Sequence, residues 1–179
     1  FLKSHNIQCI PHQLVEDCWF TYQVIISAKS CQLISDQTLY YTINPESTTS
    51  KIKTQGYSMK LSISYAEIEK TKRAYIAHLR AHSIYPCLLF DTMFMGLYHA
   101  YRILCVDNKM EKQERKKLAC SLLTRNFQLP NRIICSTSYL RFLAIYIFYS
   151  LPITIKINLV NLAIKFKIKD ILQKWFHFN

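Results

Sequence analysis

The sequence predicts an α/β unit over residues 1–56 followed by a mainly α-helical region, and three observations predict this fold class. Short apolar runs alternate with one helical stretch and several turn signals before Gly56. From Tyr57 onward the apolar residues recur at helical spacing. Net charge changes at the same place, because residues 1–56 are neutral in sum while 57–130 and 131–179 carry +6 each of the total +12. With 179 residues, 50% of them hydrophobic and 19% charged, the chain is long and apolar enough for one core and an appendage.

Each element follows from its residues. Asn6 to Ile10 reads as an extended piece stopped by Pro11, and Asp17 to Lys29 as a helix with Phe20, Val24 and Ala28 on one face. Cys31 to Ile34 and Thr38 to Ile43 read as two short strands. Pro45 fixes its own φ and disfavours α at Asn44, so Asn44-Pro45-Glu46-Ser47 turns the chain, and the polar stretch Ser47 to Gly56 is the linker.

Residues 57–137 form the helical region. Leu61, Tyr65, Ile68, Tyr75, Ile76 and Leu79 mark one helix, with Glu67, Glu69, Lys70 and Arg73 left to solvent, until Pro86 stops it. Cys87 to Val106 is apolar around most of its circumference and reads as a buried helix, with Met93, Phe94 and Met95 as core. Asp107-Asn108 breaks it, and Met110 to Arg125 resumes as a charged helix ended near Pro130.

Residues 138–179 are the amphipathic basic tail. Phe142 to Ile155 is uncharged, Pro152 kinks it, and Val160, Ile164, Ile168, Ile171, Leu172 and Trp175 then form a helical stripe flanked by Lys165, Lys167, Lys169 and Lys174. That pattern suits a helix lying in a membrane interface. It also suits a terminal helix packed on the core, or one span running from Phe142 to Ile164.

Composition excludes some chemistry. The only glycines are Gly56 and Gly96, so neither GxGxxG nor GxxxxGK[ST] is present. Seven cysteines without a CxxC pair read as reduced thiols of a cytoplasmic protein and make a zinc site unexpected. His78 and His82, four apart, lack a third ligand and read as a polar edge. Lys112, Arg115, Lys116 and Lys117 read as a solvated helix face. Phe1 in place of Met, without a charged leader before it, reads as the start of a carboxyl-terminal piece.

Adjacent carboxylates Glu16 and Asp17 open the first helix, after a loop with His12 and before Trp19 and Phe20. Taken alone, first-turn carboxylates are a capping feature. The order of features says more: Glu-Asp, an aromatic two or three residues on, then Leu39-Tyr40-Tyr41 and Pro45-Glu46-Ser47. Over residues 1 to about 50 this resembles the end of the catalytic domain of bacterial family 2 glycosyltransferases.

The resemblance implies a GT-A (Rossmann-like) fold for residues 1–56 and inverting transfer of a sugar from a nucleotide-sugar donor to a saccharide or lipid-linked acceptor. It implies work on envelope polysaccharide or lipopolysaccharide, peripheral on the inner face of the cytoplasmic membrane. Asp17 matches the family's general base, and Glu16 would support it or bind acceptor. Trp19 and His12 would line the acceptor side. Mg²⁺ or Mn²⁺ is implied too, but its Asp-x-Asp motif is absent from this chain, and Thr42 stands where many members place Arg. Alone, the chain is expected to be inactive. The rival classes are a non-enzymatic membrane-associated helical protein and a basic nucleic-acid binder; nucleic acid is the less expected partner.

Overall fold

The computed structural model describes residues 1–11, 14–32, 35, 44, 47, 57–105, 110–127 and 139–166. Six α-helices follow one another among these residues: α1 Glu16–Ser27, α2 Met59–Ile76, α3 Tyr85–Cys105, α4 Lys112–Leu123, α5 Tyr139–Ser150 and α6 Ile153–Lys165. A 3₁₀ turn, Ala77–Leu79, follows α2. No strand occurs among the described residues, which overturns the expected α/β, GT-A (Rossmann-like) remnant.

The reason is local for the first extended piece. Asn6 is left-handed (φ 51) and Ile7 to Ile10 has no regular structure. A side chain from α1 holds this segment in place of a sheet ladder, for Gln23 Nε2 donates to the Gln8 carbonyl at 2.8 Å. Cys31 and Gln32 are irregular as well, while residues 33–34 and 38–43 of the predicted strands and 48–56 of the linker lie outside the described residues.

Helix α1 starts one residue earlier than its spacing predicts. Trp19 and Gln23 are its buried residues, with Tyr22 and Ile26 packed on the core, so the inward face is not that of Phe20, Val24 and Ala28. Ser58 caps α2, its Oγ accepting from Leu61 N–H at 3.2 Å. Leu61, Ile68 and Ile76 point inward as the spacing predicts. Glu69 and Arg73, expected in solvent, are buried with them: Lys72 Nζ donates to Glu69 Oε1 at 3.0 Å, and Arg73 reaches the end of α4. Glu67 and Lys70 do stay outside. Pro86 does not stop α2, which ends at Ile76; it lies in the first turn of α3, where its missing N–H is no loss.

Helix α3 is the centre of the bundle and packs against α2, α4, α5 and α6. Gly96 marks its tightest point. A Cβ there would meet Arg73 Nη2, would lie 2.8 Å from Tyr149 Oη and 3.3 Å from the Leu122 carbonyl. Glycine inside a helix normally costs about 1 kcal/mol against alanine. Here the sign reverses, because the guanidinium cannot swing aside without losing its buried partners. Gly96→Ala is expected to destabilise by about 1–3 kcal/mol, the usual range for overpacking, read from urea unfolding.

The apolar run from Phe142 does not continue as one helix. Helix α5 closes at Ser150 and Pro152 is the N-cap of α6. Among the described residues no helix is long and apolar enough to cross a membrane, so the Phe142 to Ile164 span is not formed. Phe142, Ile145 and Tyr149 of α5 and Ile157 and Val160 of α6 share one core with Leu61, Met93 and Leu122. Val160 of the predicted interfacial stripe is therefore core and Ile164 packs on it, while Ile168, Ile171, Leu172, Trp175, Lys167, Lys169 and Lys174 lie outside the described residues.

Candidate functional site

Glu16 and Asp17 open α1, and both are exposed. The residue before them, Val15, is the N-cap and is left-handed (φ 63, ψ 31) with no side-chain capping bond. A β-branched residue in that region stores about 1–3 kcal/mol of strain, tolerated only where the surroundings impose it. Here Val15 packs against the core and its carbonyl accepts from Cys18 N–H at 3.0 Å. Asp17 Oδ1 accepts from the same N–H at 2.9 Å. Burial, and then the Asp17 charge, push the Cys18 thiol up.

Trp19 turns the opposite way. Its ring meets the edge of Tyr75 on α2 at 5.2 Å, nearly perpendicular, and only 9% of the residue is exposed. The indole is thus a core anchor that fixes α1 to α2, not an open platform for a sugar ring. Gln23, one turn on, ties α1 to the Gln8 carbonyl. His12 lies outside the described residues. The structure therefore keeps Glu16 and Asp17 together, exposed at one helix start, and buries Trp19 against α2.

His78 lies in the 3₁₀ turn against the edge of Tyr75 at 5.4 Å and His82 lies beyond it, both exposed; α2 has ended before either, so they share no α-helical face. Among the described residues no three His, Cys, Asp or Glu side chains come together. The Asp-x-Asp motif that would hold the divalent metal implied by the resemblance is not part of this chain. No disulfide joins the described cysteines.

Neither a protein-family model, nor a curated protein, nor a solved structure matches this chain.

Two buried polar clusters lie within the helical bundle. Between α1, α2 and α3, the Glu69–Lys72 pair sits beside Tyr22, whose ring the Lys72 ammonium covers at 5.0 Å, and near Asp91. Burial raises the carboxyls of Glu69 and Asp91, with Lys72 opposing it in both. One residue on from Lys72, Arg73 turns toward α4, and with Lys156 of α6 it converges on the C-terminus of that helix. Arg73 Nη2 donates to the Leu122 carbonyl at 2.7 Å and Lys156 Nζ to the Leu123 carbonyl at 2.6 Å. The last carbonyls of a helix lack intrahelical donors and carry its negative pole, so they suit buried cations. The only sequence signal was that Glu69, Lys72 and Arg73 lie within a turn of Ile68 and Ile76.

Proposed function

We propose that the chain serves, within a longer protein, as the acceptor side of an enzyme that transfers a sugar from a nucleotide-sugar donor to a saccharide or lipid-linked acceptor. The observation that supports it most is the exposed Glu16–Asp17 pair, presented at a helix start by the strained Val15 and anchored from below by Trp19. In this reading the acceptor hydroxyl comes within hydrogen-bond reach of Asp17 and gives up its proton as its oxygen attacks the anomeric carbon. The bond from that carbon to the donor phosphate breaks, the nucleotide diphosphate leaves with the electron pair, and configuration inverts. Glu16 holds the acceptor. Trp19 anchors the helix to α2 and does not touch sugar.

We also propose that the chain works as a peripheral protein on an anionic membrane surface, at its cytoplasmic face. A second observation favours this. Leu140 and Ile147 of α5, and Ile155, Leu159 and Leu162 of α6 with Phe166 beyond it, are exposed. On α6 these residues recur at helical spacing, while the opposite side packs on the core. Arg141 and Lys165 stand at the outer ends of the two helices, and three more lysines follow Phe166 in the sequence. Apolar burial and attraction to acidic headgroups add at such a surface.

One comparison tests both halves. In the longer protein, Asp17→Asn is expected to lower sugar transfer by roughly 10² or more, the scale of general base catalysis, with donor binding kept. Glu16→Gln is expected to raise chiefly the acceptor KM. Near-normal turnover in Asp17→Asn returns the residue to helix capping. Leu159→Ser with Leu162→Ser is expected to lower co-sedimentation with anionic vesicles. If vesicle binding persists while Asp17→Asn is silent, the chain is a membrane-associated helical protein and no enzyme part.

A further inference from the structure

A cleft of about 240 Å³ opens between the end of α3, the first turns of α4 and the middle of α6. Lys112, Arg115 and Lys116 line it from α4, and Asn158 and Asn161 face them from α6. Leu104 and Ile157 are its apolar lining, and among the described residues no carboxylate lines it. Residues three and four apart share a helix face, so Lys112 stands beside both Arg115 and Lys116. All three lie in the first turns of α4, at the positive end of its dipole, where an anion is favoured.

The donor set says which anion. A guanidinium fork, two ammonium groups and two carboxamide N–H groups suit the several oxygens of a phosphate better than a single carboxylate. Arg115 is half-buried, whereas Lys112, Lys116, Asn158 and Asn161 are exposed and reach the cleft from its mouth. The same helix also says what the phosphate is attached to. Thr154, Asn158, Asn161 and Lys165 form one exposed polar row of α6, and Ile155, Leu159, Leu162 and Phe166 form the exposed apolar row beside it.

We propose that this cleft binds the phosphate group of an anionic lipid, with the acyl part lying along Leu159 and Leu162. The phosphate half stands on the cleft alone; the lipid half rests on reading α5 and α6 as a membrane-facing surface. Lys112, Lys116 and Arg115 hold the phosphoryl oxygens, and the amides of Asn158 and Asn161 fix their orientation.

Titrating the 179-residue chain with inorganic phosphate and with a short-chain phosphatidic acid below its micelle concentration tests it. The readout is the side-chain amide resonances of Asn158 and Asn161. Both probes are expected to shift these resonances, and the lipid is expected to bind roughly tenfold tighter than phosphate, a difference of about 1.4 kcal/mol. Lys112→Gln with Lys116→Gln, two exposed positions, is expected to weaken both probes by roughly tenfold or more with an unchanged circular dichroism spectrum. Asn158→Asp with Asn161→Asp is expected to weaken them further by placing carboxylates against the phosphate. Silent amides, or variants that bind as the parent does, overturn the site. Equal affinity for phosphate and lipid overturns the lipid half and leaves a soluble phosphate ester as ligand. If the short-chain lipid binds here while the parent fails to sediment with vesicles, the cleft is supported and the membrane reading falls.

Discussion

Arg73→Met is expected to lower the unfolding free energy by about 3–5 kcal/mol, the range for breaking a buried ionic site by removing one side of it. Arg73 is 6% exposed. Its Nη2 donates to the Leu122 carbonyl at 2.7 Å and to Tyr149 Oη at 3.2 Å, and its Nη1 stands 3.4 Å from the Thr124 carbonyl and from Asn126 Oδ1. Replacing a buried charge by an apolar side chain is near neutral only when both sides of the interaction are replaced. That is impossible here, because its shortest bond is to a backbone carbonyl at the end of α4, and the Thr124 and Thr92 carbonyls are acceptors as well. Each one left bare costs about 1–3 kcal/mol. Tyr149 Oη is 3.2 Å from the Leu122 carbonyl and 2.9 Å from that of Met93, so it covers one of them at a time.

Arg73→Lys separates charge from geometry. An ammonium keeps the attraction to the negative pole of α4 but cannot reach several acceptors with a planar fork, so its loss is expected to fall between wild type and Arg73→Met. Urea unfolding with unchanged m-values measures both. A loss under about 1 kcal/mol for Arg73→Met would show that water or a neighbour replaces the guanidinium, and with it the reason for Gly96 would go. The two positions are coupled. In an Arg73→Met background the Cβ of Gly96→Ala has one obstacle fewer, so the double variant is expected to be more stable than the sum of the single losses.

This network explains what the sequence could and could not show. Helix α2 is legible because Leu61, Ile68 and Ile76 repeat at the helical period, α3 because Cys87 to Val106 is apolar around most of its circumference, and α4 because a charged run resumes after Asp107-Asn108; each is a local property. The inward turn of Glu69 and Arg73 is not local. The acceptor of Arg73 lies 49 residues away on another helix, and nothing near position 73 encodes it. The candidate base shows the same division. Glu16 and Asp17 announce a helix start, and a helix starts there; that Val15 is strained and Trp19 points into the core depends on packing against α2.

The irregular course of the first expected extended piece, and the choice of inward row on α6, have physical causes as well. Apolar runs as short as Asn6 to Ile10 carry no period long enough to tell a strand from an irregular segment, and only a partner strand decides. In the tail, α6 is apolar on two sides, with Ile157 and Val160 on one and Ile155, Leu159 and Leu162 on the other. Periodicity identifies both rows and ranks neither. The presence of α3 and α4 beside Ile157 and Val160 makes that row the core.

Acid is expected to weaken the bundle through His99, by about 1.4 kcal/mol for each pH unit between 6.5 and about 3. His99 is 2% exposed, stacks on Tyr65 with ring centres 4.0 Å apart, and has its Nδ1 3.0 Å from Tyr57 Oη. Burial, with Lys72 and Arg102 adding like charge, lowers its pKa from 6.5 to about 3. Below pH 6.5 the unfolded chain takes up this proton and the folded chain does not, so the unfolded state gains free energy of protonation as pH falls. Above pH 6.5 both states are neutral at His99 and the contribution is flat. Glu69 and Asp91 act in the opposite sense, since their raised carboxyls bind protons in the folded state first. A single pH curve therefore mixes the three, and His99→Gln separates them, because a carboxamide still offers Tyr57 a partner but does not titrate. The variant is expected to be less stable than the parent at pH 8, with the gap closing below pH 6.5 at about the stated slope and reversing once the protonation penalty exceeds the lost packing. Urea midpoints for both proteins from pH 8 to pH 4 measure the gap. A gap constant across that range would mean that the folded protein protonates His99 as readily as the unfolded chain does, and that its burial against Tyr65 is relieved in solution.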